Sequence, residues 1–214
     1  MRGLGLAAVA FFLSHVAYHW RFGDMNNALW ACHVASLLIG IGALTNRNDV
    51  TAIGVLWLVV GIPMWFLHLA SGGEFIPTSV FTHGGGAIVG AAVIHQQRWP
   101  RGGWWKACVA LFAWVGLTRL VTPPELNVNL AFRIPGPTTS GTISHAQYLG
   151  LMAAVMTTIF LVADLLLRRA LPLRSCDQLT NAESPLCALR DSALQLSHLQ
   201  RRDAESAEEN HQHQ

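Results

Sequence analysis

The stretch Thr78–His95, TSVFTHGGGAIVGAAVIH, decides how the chain is read. It carries no Asp, Glu, Lys or Arg and is dominated by Gly, Ala, Val and Ile. Such a run suits a helix across a bilayer, where every backbone N–H and C=O must be satisfied within the segment. His83 sits about one turn inside its start. An ionisable side chain within a span is costly and ordinarily faces a cavity or the bundle interior. The rest of the sequence is therefore sorted by which residues share a membrane end with His83.

Outward from this stretch, five further apolar blocks appear: about Gly3–Trp20, Ala28–Thr45, Val50–Ser71, Trp104–Val121 and His145–Leu167, with the opening stretch extended to Thr78–Gln96. Over the 214 residues, 52% are hydrophobic and 12% charged, and the apolar excess lies in these blocks. A span takes about 20 residues, so the expected fold is all-α: a polytopic six-transmembrane-helix bundle over residues 1–170, followed by a cytoplasmic tail over 171–214. The net charge of +2 gives no electrostatic footprint for nucleic acid, and membrane lipids are the expected partners.

The connections are short and carry turn chemistry: RFGDMNN, NRND, GGEFIP and RWPRGG. Pro63 inside the third block predicts a kink. Met1–Trp20 lacks a convincing small-residue cleavage site and holds His15 and His19, so it reads as an uncleaved first span. Arg2, Arg47, Arg98, Arg101, Lys106, Arg168, Arg169 and Arg174 fall on one side, against Arg21, Arg119 and Arg133 on the other. The positive-inside rule then puts both termini in the cytoplasm of a multi-pass inner-membrane protein. In the tail, Ser184-Pro185 followed by Leu186, Leu189, Ala193 and Leu196 predicts a short amphipathic helix, and the polar end RRDAESAEENHQHQ reads as disordered. Cys32, Cys108, Cys176 and Cys187 show neither CxxC nor zinc-type spacing.

With this topology, polar residues gather at the outer end. His15 and His19 close the first span, Cys32 and His33 open the second, and His68 closes the third. His83 opens the fourth, Arg119 closes the fifth and His145 opens the sixth. At 1.5 Å rise per residue these groups lie within roughly 10 Å in depth. The longest connection, Thr122–Ser144, is on the same side, and Leu130, Ala131, Phe132 and Ile134 argue that it packs down onto the bundle.

Histidines at span ends commonly bond headgroups or water, and a buried cysteine commonly packs as a small hydrophobe. Together, however, a thiol and an imidazole define a nucleophile and its base. Cys32 with His83 is the expected catalytic pair for acyl transfer or ester hydrolysis on a lipid, without a cofactor. Arg119, Asn127, Asn129, His68 and His145 are candidates to hold substrate or stabilise an oxyanion. Neighbours i and i+1 on a helix diverge by about 100°, which disfavours His33 as the base. A second reading is a transition metal or haem in an oxidoreductase, with ligands drawn from His15, His19, His33, His68, His83 and His145; the first two have the i,i+4 spacing of a shared face. A third is a non-enzymatic membrane protein that binds lipid or another ligand. The Gly84-Gly85-Gly86 run reads first as tight helix packing.

Three segments carry a family resemblance. ALWACHVASLLIGIGAL (residues 28–44) resembles the cysteine-bearing second span of the YwaF-like bacterial integral membrane proteins. SVFTHGG (79–85) resembles their histidine-bearing fourth span, and NLAFRIPGP (129–137) their outer-loop motif of Asn, aromatic and Pro. This chain has Trp30 where that family often has a histidine ahead of the cysteine, and it has His33 directly after. The animal relatives are the transmembrane protein 164 family, which resembles the androgen-induced-gene hydrolases in helical architecture. The resemblance implies a lipid acyltransferase or hydrolase with Cys32 as nucleophile and His83 as base.

Overall fold

The computed structural model describes residues 1–97, 99–134 and 144–171. The tail helix and polar end expected after residue 171, and the part of the long loop over 135–143, lie outside the described residues.

The described chain is all-helical. The α-helices are α1 (Arg2–Phe22), α2 (Ala31–Thr45), α3 (Asn48–Ala70), α4 (Pro77–Val80), α5 (Gly86–Gln96), α6 (Gly103–Val121) and α7 (His145–Ala170). Short 3-10 turns lie at Met25–Leu29, Pro124–Leu126 and Val128–Leu130, and a π turn, Phe81–Gly85, joins α4 directly to α5. Among the described residues, four helices are long and apolar enough to cross a membrane: α1, α3, α6 and α7. The other two blocks depart from simple spans. The second is shortened to 15 residues because Trp30 is extended (φ −59°, ψ 134°) and Ala28 and Leu29 belong to the preceding 3-10 turn. The fourth is divided by its π turn. α3 continues as one helix through Pro63, the position where a kink is expected.

α2 is the centre of the bundle, with α1, α3 and α5 packed around it. Its buried residues include Val34, Ala35, Ile39 and Ala43, and those of α5 are Gly86, Val89, Gly90, Val93 and Ile94, a repeat of three and four that lays one face inward. Close approach needs small residues. A β-carbon at Gly40 would stand 2.9 Å from the Gly5 carbonyl oxygen, so α1 and α2 touch at backbone distance there. Ser36 Oγ donates to the Ala8 carbonyl at 3.0 Å and Trp57 Nε1 to that of Ala107 at 3.1 Å. Large apolar side chains such as Leu6, Leu13, Phe66, Ile88, Leu120 and Leu166 are exposed on the outside, an inverted pattern compatible with a membrane protein.

Charged pairs gather at the end where α3 and α6 begin and α7 finishes. Lys106 Nζ meets Asp49 Oδ1 at 2.7 Å, and the buried Asp164 accepts from Trp99 Nε1 at 2.6 Å and pairs with Arg168 at 2.7 Å. His15, His19, His33 and His83 occupy the opposite end, while His95 closes α5 on the charged side.

Candidate functional site

The site begins with how α1 stops. Gly23 takes the left-handed conformation (φ 75°), and the Gly23 and Asp24 N–H groups bond back to the carbonyls of Trp20 and His19. This turn folds Asp24 over the last helical turn. Its Oδ2 accepts from His19 Nδ1 at 2.8 Å and from Asn27 Nδ2 at 3.3 Å. Burial pushes the Asp24 carboxyl up, but the hydrogen bonds from His19 and Asn27 outweigh it and hold it below the ordinary carboxylate range.

From His19 a chain of rings runs inward. His19 Nε2 lies 3.1 Å from His15 Nε2, which lies 3.0 Å from His33 Nδ1. His15 Nδ1 meets Thr78 Oγ1 at 2.8 Å, and His33 Nδ1 also faces the Asn27 carbonyl at 3.2 Å. His15 and His19 are fully buried and His33 nearly so. The i,i+4 spacing of His15 and His19 puts both on the face of α1 that meets α2.

The α2 start is clamped by the long loop. Asn129 Oδ1 accepts from the Ala31 N–H at 2.8 Å, while its Nδ2 donates to the Leu29 carbonyl at 3.0 Å. Trp114 Nε1 donates to the same carbonyl at 2.8 Å. A side chain from the loop thus caps an orphan N–H of the first turn. That clamp fixes Cys32 and His33, the second and third residues of α2. Beside them, α3 contributes Gly61, where a β-carbon would stand 2.5 Å from the Cys32 β-carbon. Cys32 is half-buried.

His83 arrives from the π turn. Its Nδ1 bonds the Ser79 carbonyl at 2.8 Å, which places the proton on Nδ1 and leaves a lone pair on Nε2. That Nε2 is buried and has no hydrogen-bond partner. The Trp65 ring stacks on His83 (centroids 5.0 Å apart, 10° between planes), and His33 meets it edge-on at 5.3 Å. Cys32 Sγ and one ring nitrogen each of His33 and His83 lie within 4.8 Å of one another. A second triad, His15, His19 and His33, meets the same limit.

Cys32, His15, His19, His33 and His83 therefore converge. His33 does so against the expected divergence from Cys32: in the first turn of α2 its long side chain reaches the point that the short cysteine side chain also borders. The remaining candidates lie elsewhere. His68 is exposed and packs over Gly73, just past the end of α3. His145 is held by the Leu130 carbonyl at 3.3 Å. Arg119 donates to the Ala131 carbonyl at 2.7 Å with its guanidinium over the Phe132 ring. Asn127 folds the loop on itself, accepting from Phe132 and Arg133 N–H and donating to the Arg133 carbonyl, all at 3.0 Å. Val128 and Ala131 are fully buried, so this part of the loop does pack down. Asp24, Thr78, Ser79 and Trp65 were not anticipated. Gly23-Asp24 at the end of the first block was the available signal for one of them.

Comparison with known proteins gives no match: no family model, curated protein or solved structure aligns with the chain.

Proposed function

We propose that this chain is a six-span lipid acyltransferase or ester hydrolase of an inner membrane, akin to the YwaF-like and transmembrane protein 164 families, with Cys32 as nucleophile and His83 as general base. The six-span reading counts α2 with its 3-10 turn, and the continuous run 77–96, as crossings beside the four longer helices. The Arg and Lys bias then puts both termini in the cytoplasm and the thiol under the outer leaflet.

One observation carries the chemistry: a His83 ring nitrogen within 4.8 Å of Cys32 Sγ, on a ring whose Nδ1 is tied to Ser79 and whose Nε2 is bare and unpartnered. That is the arrangement of nucleophile, base and orienting group. His83 Nε2 takes the thiol proton. The thiolate attacks the carbonyl carbon of a lipid ester, forming the S–C bond as the C–O bond breaks, and His83 returns the proton to the leaving oxygen. The thioester is resolved by a lysolipid hydroxyl or by water, whose proton passes through His83 back to sulfur.

The test is thioester trapping. Purified protein in phospholipid vesicles is given an ester with an alkyne-tagged acyl chain. Labelling at Cys32 that neutral hydroxylamine releases, and that Cys32→Ala abolishes, is the expected result. A folded wild-type protein that acquires no hydroxylamine-sensitive label overturns the assignment.

A further inference from the structure

The second triad poses a proton-counting problem that the acyl-transfer chemistry does not touch. An imidazole nitrogen has one in-plane position, filled by either a hydrogen or a lone pair. His19 Nδ1 faces a carboxylate at 2.8 Å and so carries its proton there, which leaves Nε2 of the neutral ring bare. If His15 Nε2 is also bare, two lone pairs oppose each other at 3.1 Å. If it carries the hydrogen instead, it can donate to His19. His33 Nδ1, 3.0 Å away, must then either push its own hydrogen against that one or turn a lone pair toward the Asn27 carbonyl at 3.2 Å. No distribution of protons over three neutral rings satisfies every contact, so the cluster calls for one added positive charge, a proton on His19 beside Asp24 or a metal ion.

A dication at the point shared by these atoms removes the conflict. All three facing nitrogens then present lone pairs. The far nitrogen of His19 donates to Asp24, and that of His15 to Thr78 Oγ1, the outer-shell bonds that orient metal-bound histidines. Bonds of about 2.0–2.1 Å at tetrahedral angles put neighbouring ligands roughly 3.3 Å apart. The separations of 3.0 and 3.1 Å from His15 Nε2 to its two neighbours are slightly tighter than that, the His19 and His33 nitrogens lie within 4.8 Å of each other, and the Asn27 carbonyl is 3.2 Å from His33 Nδ1. The ring nitrogens stand too close for a porphyrin plane to pass between them.

We infer that His15, His19 and His33 form a binding site for a zinc-class transition-metal dication, with the Asn27 carbonyl available as a fourth ligand. The nitrogen-rich, carboxylate-free inner shell selects borderline dications over Mg2+ or Ca2+. The site does not depend on acyl transfer. It touches that chemistry at His33, which belongs to both triads: a metal on its Nδ1 leaves its proton on Nε2. Of the six candidate histidines drawn from sequence, this keeps His15, His19 and His33 as ligands and leaves out His68, His83 and His145.

The test is Co2+ titration of the full, tag-free chain in detergent, with His211 and His213 of the tail replaced by Asn in every sample. The expected result is one Co2+ per chain with a visible absorption band of the tetrahedral type, abolished by added Zn2+. The band disappears in H15Q and in H19Q, and persists in Cys32→Ala and His68→Gln. Asp24→Asn, which keeps the ligands but weakens the outer shell, lowers affinity about 10–100-fold. A folded parent chain, altered only at His211 and His213, that shows no band, or a band that survives in both H15Q and H19Q, overturns the site. Because Cys32→Ala removes the thioester and spares the band, either assignment can fail without the other.

Discussion

Gly61 of α3 lies against Cys32 of α2 so closely that a methyl group at position 61 would stand 2.5 Å from the Cys32 β-carbon. Hydrogen is the only substituent that fits. The thiol is thus held at a helix crossing, with α3 as its back wall. Gly61→Ala is expected to destabilise the bundle by about 1–3 kcal/mol through overpacking. It should also shift the rate of maleimide labelling at Cys32. Unchanged thermal unfolding and unchanged labelling in detergent would show that the two helices part easily here.

His83 is held by a backbone carbonyl and not by a carboxylate, so its replacement isolates the base. His83→Gln is expected to lower thioester formation by about 10²–10⁴-fold while leaving the folded protein intact. Single-turnover labelling of Cys32 with the tagged ester measures this directly. A loss of less than about threefold would move the role of base to His33.

Asn129 reaches across the chain to cap α2, 98 residues from its partner Ala31. Asn129→Ala leaves the Ala31 N–H without its acceptor and removes one of two donors from the Leu29 carbonyl. The expected cost is about 1–3 kcal/mol, read as a lower unfolding temperature. Asn129→Asp keeps the acceptor and loses the donor, so it should fall between wild type and Asn129→Ala. Equal stability of all three would show that Trp114 alone fixes the start of α2.

The pairing of Asp24 with His19 has a defined pH window. The folded carboxyl is held below its ordinary value of 3.8. Its contribution to stability is therefore present above that value and lost as pH falls through the folded one. The difference in unfolding temperature between wild type and Asp24→Asn is expected to hold on acidification to about pH 4 and to shrink below it. A difference that vanishes already near pH 6 would show that the Asp24 carboxylate is not the group responsible.

The helical blocks were legible because lipid-compatible helices need long uncharged runs, and such runs are visible one residue at a time. Their ends were less so. Nothing in ALWACH announces that Trp30 is extended and that α2 starts only at Ala31. The meeting of Cys32 with His83 could be read from depth alone, since both lie near the same end of adjacent rods. Direction could not be read that way. His68 and His145 share that depth, yet they turn to Gly73 and to the Leu130 carbonyl. The bond from Asp24 to His19 depends on a left-handed Gly23, a local signal that was present in the sequence. The role of Asn129 depends on a contact between distant segments, which one sequence alone does not reveal.

The wide turn Phe81–Gly85 sets the angular phase of His83 independently of everything after it. Inside it, His83 brings a ring nitrogen within 4.8 Å of the thiol; downstream, Val89 and Val93 are buried in the bundle interior. In an unbroken α-helix each residue advances about 100°, so shortening this segment by one residue would rotate one half against the other by that angle. Either the imidazole would swing away from the sulfur or the valines would swing out of the core. The bulge acts as a rotational coupling, and the chain cannot lose it without giving up one of the two.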